Sequence, residues 1–521
     1  MNRFSKKLNH RKTSFFTVGL FVFLTILWSS GILFSFPGQS KTDKTIPHPI
    51  EIKDILSWKT ISSADISPDG NWFVYSLSPN EGDSELVIKE VDGKREYRFN
   101  LGEAPRAAFG SIIISDDSRW AAFMVYPSSQ EMKKLRKERK RVEPKAILVE
   151  LKNGNQVEWI RVRKIAFSGE SSLFLAIHRL APEAQEKEKD KWTGSDLVLR
   201  NLNSGQDIAL GNVSEFAFNR SGQRLAFLVD ARDRAGNGLM LKNLKTGQLD
   251  ILDSGSFFYQ NLRWDEKGQA LSVLKGKEDQ KYEDKLYSLL AFKFENSTGQ
   301  AERIEYDHEK DKSFPDGYSL SPDFTPYWLE DYQAIALGIK ELKTKSSAAD
   351  SPEPKEQPDK TAASSRQSED IDEEDLPDLV LWHWQDPRLQ SQQQVEERRD
   401  ASFSYLSLYR VKEKKFVRLA DEELRQVTLG KKSDLAIGFD RSLYELEGNL
   451  SGQRFQDIYV VDLKTGERKL ALKKNRWSYG LSPDDRYLLF YDGGHFFSYE
   501  LTTGKSYNLT SNLPASFVDE D

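Results

Sequence analysis

The 521 residues include no cysteine, only six histidines and only four methionines. Without cysteine there are no disulfides, no thiol catalysis and no thiolate metal sites. The histidines, His10, His48, His178, His308, His383 and His495, are scattered, and none has a second histidine at H-E-x-x-H spacing. His495, in Asp492-Gly493-Gly494-His495, reads as a solvent-facing turn residue, and His383, between Trp382 and Trp384, as part of an amphipathic strand. The G-x-S-x-G elbow of serine hydrolases is missing. Its nearest look-alike, Gly448-Asn449-Leu450-Ser451-Gly452, has the wrong spacing and reads as a hairpin loop. No glycine-rich phosphate loop joins a strand to a helix. Catalytic residues, cofactor contacts and metal ligands are therefore all expected to be none.

Neither sign of charge dominates. Lys and Arg number 75 against 81 Asp and Glu, a net charge of −6, which argues against nucleic acid as a partner. Hydrophobic residues make up 38% and aromatics 12%, enough for a large core and too much for global disorder. An exported chain without disulfides must rely on such a core.

Export is read from the N-terminus. Arg3, Lys6, Lys7, Arg11 and Lys12 precede the uncharged apolar stretch from Thr13 to Phe36. A basic segment before such a stretch is an export signal, and the positive-inside rule places the remainder outside the cytoplasm, periplasmic or extracellular. The stretch exceeds a usual signal core of about 7–15 residues and reaches the roughly 20 needed to span a bilayer. Gly38-Gln39-Ser40 is a weak cleavage site. A cleaved signal and a retained membrane anchor formed by residues 13–36 both remain open. Residues 1–40 are assigned to this segment and 41–57 to a linker.

What recurs along the rest is a turn followed by an apolar strand. Ser67-Pro68-Asp69-Gly70 precedes Trp72-Phe73-Val74-Tyr75, Ser115-Asp116-Asp117-Ser118 precedes Trp120-Ala121-Ala122-Phe123, and Ser482-Pro483-Asp484-Asp485 precedes Tyr487-Leu488-Leu489-Phe490. Related turns begin at Ser168, Asn219, Asp265 and Gly430, and Ser321-Pro322-Asp323 follows the same logic less cleanly. Proline presets φ at the second turn position, and Asp or Gly tolerates the conformations that close a hairpin. A second turn trails by half a period, as in Asn203-Ser204-Gly205, Lys245-Thr246-Gly247 and Lys464-Thr465-Gly466. Two hairpins per period give four antiparallel strands, and the period of about 50 residues fits a propeller blade. A β-helix would use shorter repeats, helical solenoids need an apolar period of 3.6, and sandwiches need about seven strands per unit. The expected fold is all-β: a β-propeller of seven to eight four-stranded blades over residues 58–521, possibly an incomplete ring, with an apolar export helix at the N-terminus.

Three segments interrupt the pattern and read as solvated loops: the basic run Gln130 to Val142, the Glu/Lys-rich stretch Pro182 to Lys191, and a disordered insertion over 340–375. Asp230, Asp233 and Asn237 form an oxygen-rich loop that does not match the EF-hand pattern and reads as an inter-blade connection.

Several stretches carry a more specific likeness. Asp378 to Gln394, Phe403 to Val411, Tyr444 to Asn449, Gly236-Asn237-Gly238 and Asp284 to Tyr287 resemble the N-terminal propeller of large exported bacterial peptidases of the prolyl oligopeptidase family. The likeness runs from about Trp58 to the C-terminus. In that family the propeller caps an α/β-hydrolase domain that holds the Ser-Asp-His triad, and it admits short peptides or flexible termini while excluding folded proteins. The resemblance implies a non-catalytic propeller that gates or docks peptide substrates for a hydrolase domain not present in this chain and lost or encoded separately. The alternative is a stand-alone exported propeller that binds peptides or proteins. No triad residue is carried over, because none of the matching motif is present. An unfinished ring would leave strand edges exposed, so marginal stability or association is expected.

Overall fold

The computed structural model describes residues 49–104, 112–183, 192–295, 301–345, 383, 386, 388–431 and 434–518. The export segment and residues 346–375 of the insertion lie outside them. No helix among the described residues is long and apolar enough to cross a membrane. The chain divides into two units, Met1–Ile55 and Leu56–Asp521. Of the first, residues 49–55 are described and include the opening turn of the short helix Ile52–Ser57.

The second unit is a β-propeller of eight antiparallel four-stranded blades. Blades 1, 2, 5, 7 and 8 span 59–102, 112–159, 258–306, 426–475 and 477–508 as separate sheets. Blades 3 and 4 appear as one seven-stranded sheet because they share the 12-residue strand Asp207–Phe218. A register shift between Val213 and Glu215 divides that strand into the fourth strand of blade 3 and the first of blade 4. In blade 6 the first strand is split into Tyr318–Leu320 and Tyr327–Trp328, both paired with Ala334–Glu341.

The serine turns work as the repeat implies. Ser67, Ser115 and Ser482 each donate to an Asp two residues on at 2.6 Å and accept the amide of the strand's first residue at 2.9–3.0 Å. They also latch neighbouring blades. Asp69 N donates to Ser118 Oγ (3.1 Å) and Asp117 N to Ser172 Oγ (3.2 Å). Asn219 Nδ2 reaches Gly268 O at 3.4 Å, and Lys431 N donates to the Asp485 carboxylate. Blade 6 corrects one assignment. Ser321-Pro322-Asp323 lies in the gap of the split strand, and the equivalent turn is Leu329-Glu330-Asp331-Tyr332, where Leu329 N bonds Ala334 O at 3.0 Å. With Leu and Tyr where serine and glycine are expected, that turn keeps only the aspartate of its sequence signature.

Seven apolar cores fill the seven junctions between consecutive blades. Each strand buries alternate residues toward each neighbour, so a blade with two neighbours reads as a nearly continuous apolar run, such as Leu225-Ala226-Phe227-Leu228. Trp264 and Trp328 extend across their junctions to donate to Ala217 O and Leu271 O in the preceding blades. Among the described residues no core joins blade 8 to blade 1. The outward face of blade 1 leaves Ile61 61%, Ile66 50% and Phe73 36% exposed, and that of blade 8 leaves Trp477 48% and Leu489 37% exposed.

Other local expectations are corrected. The basic run is a helix, Ser129–Lys137, because Ser128 and Glu131 form a capping box and basic residues fill its last turn. A second helix, Gln390–Ala401, follows the insertion, and Arg388 bridges its Glu396 and Asp400 at 2.9 and 2.7 Å. Gly448–Ser451 closes a helix, Glu445–Ser451, that Gly452 ends in the left-handed conformation, so the stretch is not a hairpin loop. His383 belongs to no strand; its amide donates to Asp386, whose own amide returns a bond to its carbonyl. His495 opens the strand His495–Glu500, half-buried against Thr510 Oγ1 at 3.1 Å. Lys340 and Glu341 are in a strand, with Lys340 held by Asp284 and Asp323, so the insertion starts later than 340.

Candidate functional site

Strand direction alternates within a blade, so the two short turns of every repeat fall on one face of the disc. The second-to-third connections and the crossovers between blades fall on the other. Described parts of the longer insertions lie on this second face: the helix Ser129–Lys137 in blade 2, residues 180–183 and 192–194 in blade 3, 230–237 in blade 4, 342–345 and 388–404 in blade 6 and the helix Glu445–Ser451 in blade 7. Variable loops on a rigid scaffold are where binding residues concentrate.

A cavity of about 300 Å3 opens on this face in blade 3, lined by Arg161, Arg179, Pro182, Trp192, Ser195 and Asn212 among others. Three β-bulges converge there, between His178 and Arg179, between Ser195 and Leu197, and between Val213 and Glu215. A bulge redirects side chains out of the alternating pattern, which is why such irregularities gather at functional sites. Arg161 and Asn212 also adopt left-handed backbone, with φ of 58° and 55°. Their carbonyls accept from Leu180 N (2.7 Å) and Asp230 N (2.9 Å), which fixes the walls.

Beneath the cavity lies a serine–histidine contact. Ser195 Oγ is 3.0 Å from His178 Nε2, and both residues are buried. The same Nε2 is 2.8 Å from Val213 O. A carbonyl only accepts, so Nε2 carries the proton and has no lone pair for the hydroxyl. Ser195 in turn donates to Arg179 O at 2.7 Å. Burial drives the His178 pKa down to about 4, the bond to Val213 O opposes this, and Arg163 and Lys164 add to the fall. The ring is neutral at pH 7 with its proton committed to a carbonyl, and no carboxylate among the described residues orients it. The pair ties three strands together and does not generate a nucleophile. Nothing in the sequence marks it, because His178 and Ser195 are brought together by strand pairing.

The two arginines differ. Both have a buried Nε without a hydrogen bond, but Arg161 keeps an ion pair to Glu143 at 3.1 Å and a bond to Ala181 O at 3.3 Å, whereas Arg179 has neither among the described residues. Asn212, exposed to solvent, lies in the lining with them. Trp192 forms an aromatic wall, with the Arg232 guanidinium 5.8 Å from its ring centre. The oxygen-rich loop beside it is a structural clasp. Asp230 accepts from Thr193 N and Oγ1 and from Asn237 Nδ2, and Asn237 bonds Ala231 N and Phe257 O in addition. Asp233 takes no part in this network.

A second cavity of about 300 Å3, at the crossover from blade 5 to blade 6, includes His308, Asp311 and Phe314. Its buried histidine and one carboxylate are bonded internally: His308 Nδ1 meets Tyr287 O at 3.0 Å, and Asp311 accepts from Tyr306 and Ser313. Among the described residues, the blade 3 cavity is lined by two arginines whose buried Nε groups have no hydrogen bond, Arg161 and Arg179.

No protein-family model and no curated protein matches the sequence. Solved structures similar to this chain include a eukaryotic initiation factor, at TM-score 0.39 and 10% identity over 86% of this chain and 88% of that one. Prolyl endopeptidase gives TM-score 0.34 and 12% identity over 86% of this chain and 55% of that one, so this chain spans just over half its length. The β-propeller domain of the Trilobed protease from Pyrococcus furiosus, described as having an open velcro topology, gives TM-score 0.29 and 13% identity over 75% and 92%. Likeness at this level carries no argument about activity. The propeller assignment rests on the strand pairing.

Proposed function

We propose that this chain is a non-catalytic propeller that docks peptides or flexible protein termini on its insertion-bearing face. In this reading it serves as the front part of an exported peptidase of the prolyl oligopeptidase family, gating peptides for a hydrolase domain outside this sequence. Residues 13–36 would direct it out of the cytoplasm and would anchor it if retained. The observation that carries the reading is the wiring of Ser195 and His178: a hydroxyl and an imidazole in contact, both committed to carbonyls, beside an open cavity. That combination favours binding over bond cleavage.

The test uses the full chain with peptidyl p-nitroanilide and ester substrates and a fluorophosphonate label. No turnover and no labelling are expected. Turnover that the phosphonate abolishes and Ser195→Ala removes would overturn the non-catalytic assignment. A stand-alone binding propeller is the second reading, favoured by the cavity being built within a single blade from side chains of this chain alone. An adjoining reading frame that encodes G-x-S-x-G would support the first reading, and its absence the second.

A further inference from the structure

We propose that the blade 3 cavity binds the C-terminal carboxylate of a peptide through the Arg179 guanidinium, an assignment that rests on the peptide-docking reading above. A guanidinium presents five N–H donors in a rigid plane and stays charged at any working pH. Buried donors in folded proteins are nearly always paired, so a buried one without an acceptor calls for an explanation such as an absent ligand. Arg179 Nε is such a donor.

Its neighbours show what pairing looks like on this face. Arg161 meets Glu143, Arg234 meets Glu278 at 2.6 Å, and Arg141 donates to Ala181 O at 2.8 Å. Arg161 Nε also lacks a hydrogen bond, but the rest of that guanidinium is held by Glu143 and Ala181 O; Arg179 has no such hold among the described residues, and it sits directly after the bulge at His178. Asn212, in the same lining, offers an exposed side-chain amide and is held there by its left-handed backbone. Leu180, Pro182 and Trp192 supply an apolar wall for the residue that carries the carboxylate.

The charge set selects the ligand class. One uncommitted guanidinium matches a monoanion and forms paired N–H···O bonds with the two oxygens of a carboxylate. A phosphate dianion would sit near Asp196 at the rim and near Glu143, which already uses Arg161. The volume of about 300 Å3 admits a terminal residue, not a folded surface. A peptide carboxylate is also found on Asp and Glu side chains, so the test must separate the two sources.

Fluorescein-labelled random pentapeptide pools would be titrated against the full chain by anisotropy in three forms: free acid, C-terminal amide, and amide ending in Glu. The free acid is expected to bind on the order of 10-fold more tightly than either amide pool, the size of one charge-assisted hydrogen-bond set. Arg179→Gln should lower free-acid affinity to that of the amide and leave amide binding unchanged. Arg179→Lys, which keeps the charge and loses the planar fork, should fall between. Equal binding of acid and amide would overturn the carboxylate assignment and leave peptide docking standing. Binding of the Glu-ended amide as tight as that of the acid would replace the terminus with a side chain. An unaltered Arg179→Gln variant would remove Arg179 from the site. No binding by any pool at millimolar protein would overturn the docking reading as well. The acid–amide comparison is made on the unsubstituted chain, so it does not depend on any variant folding.

Discussion

The junction between blades 4 and 5 and the outward faces of blades 1 and 8 are built from the same repeat, yet their surroundings differ. In the junction, Leu228, Leu271, Val273 and Leu290 are fully buried, and Trp264 bridges the two blades. Asp253 of blade 4 accepts from Tyr259 (2.6 Å), Lys275 (2.9 Å) and Arg303 (2.8 Å) of blade 5. Burial pushes its pKa up, but these three donors outweigh burial and hold it below the usual carboxylate range. On the outward faces, residues of the same types stand in solvent. Trp477, Leu489, Tyr491, Phe496 and Tyr507 line one face of blade 8, and only Phe517, edge-on to Phe496 at 5.5 Å, begins to cover it. An apolar residue stabilises a blade only where a second blade covers it.

The largest expected effect sets the two environments against each other. Leu228→Ala, in the filled junction, should cost about 3 kcal/mol or more, because it removes buried methyl groups and leaves a cavity. Leu489→Ala, on the uncovered face of the same strand in blade 8, should cost about 0.5 kcal/mol. Urea melts of the two variants measure the difference, and equal losses would mean that the blade 8 face is covered in solution, as by self-association.

Glycine at the fourth turn position sharpens the comparison. Gly222 has φ +70° and a Cβ added there would lie 1.5 Å from Ser168 O of the preceding blade. Gly70, at the same position in blade 1, has φ +77° and open space around it. Gly222→Ala should therefore cost about 3 kcal/mol, combining left-handed strain with a clash against backbone. Gly70→Ala should cost only the strain, about 1 kcal/mol. If the two losses matched, something would occupy the upstream side of blade 1.

The smallest effect concerns pH. His178 has a folded pKa of about 4, below its unfolded value near 6.5, so the unfolded chain binds more protons between these limits. The stability tied to the neutral ring is complete above pH 6.5 and declines as pH falls toward 4. A loss of about 2 kcal/mol is expected between pH 7 and pH 5. His178→Gln, which keeps a donor for Val213 O, should flatten that dependence, and an unaltered slope would assign the effect to other groups.

Much of the fold was legible because its causes are local. The Ser-x-Asp turns and the Asn/Asp-x-x-x-Gly turns hydrogen-bond within a few residues, as where the Asn243 side chain accepts from Lys245 N and Thr246 N. The turn at Leu329–Tyr332 escaped because only its aspartate is kept, Asp331 accepting from Gln333 N at 3.0 Å, while Leu and Tyr replace the serine and glycine. The helix after Ser128 was legible in principle, since Ser128-x-x-Glu131 is a capping box, but its basic composition drew the reading toward a solvated loop. The cavity was not legible at all. Arg161, Arg179, Trp192 and Asn212 are ordinary residues in sequence, and they converge only because three bulges shift the register of neighbouring strands.

By itself the order of residues determined the repeating hairpins and the four-stranded blade, because turn chemistry and two-residue apolar alternation act over short distances. It also ruled out a G-x-S-x-G elbow. Tertiary structure alone decided that eight blades have seven filled junctions, that Ser195 and His178 meet with their protons pledged to carbonyls, and that Arg179 has no acceptor among the described residues. Those outcomes depend on which strands pair and in what register, a choice made by packing across distances that no local pattern encodes.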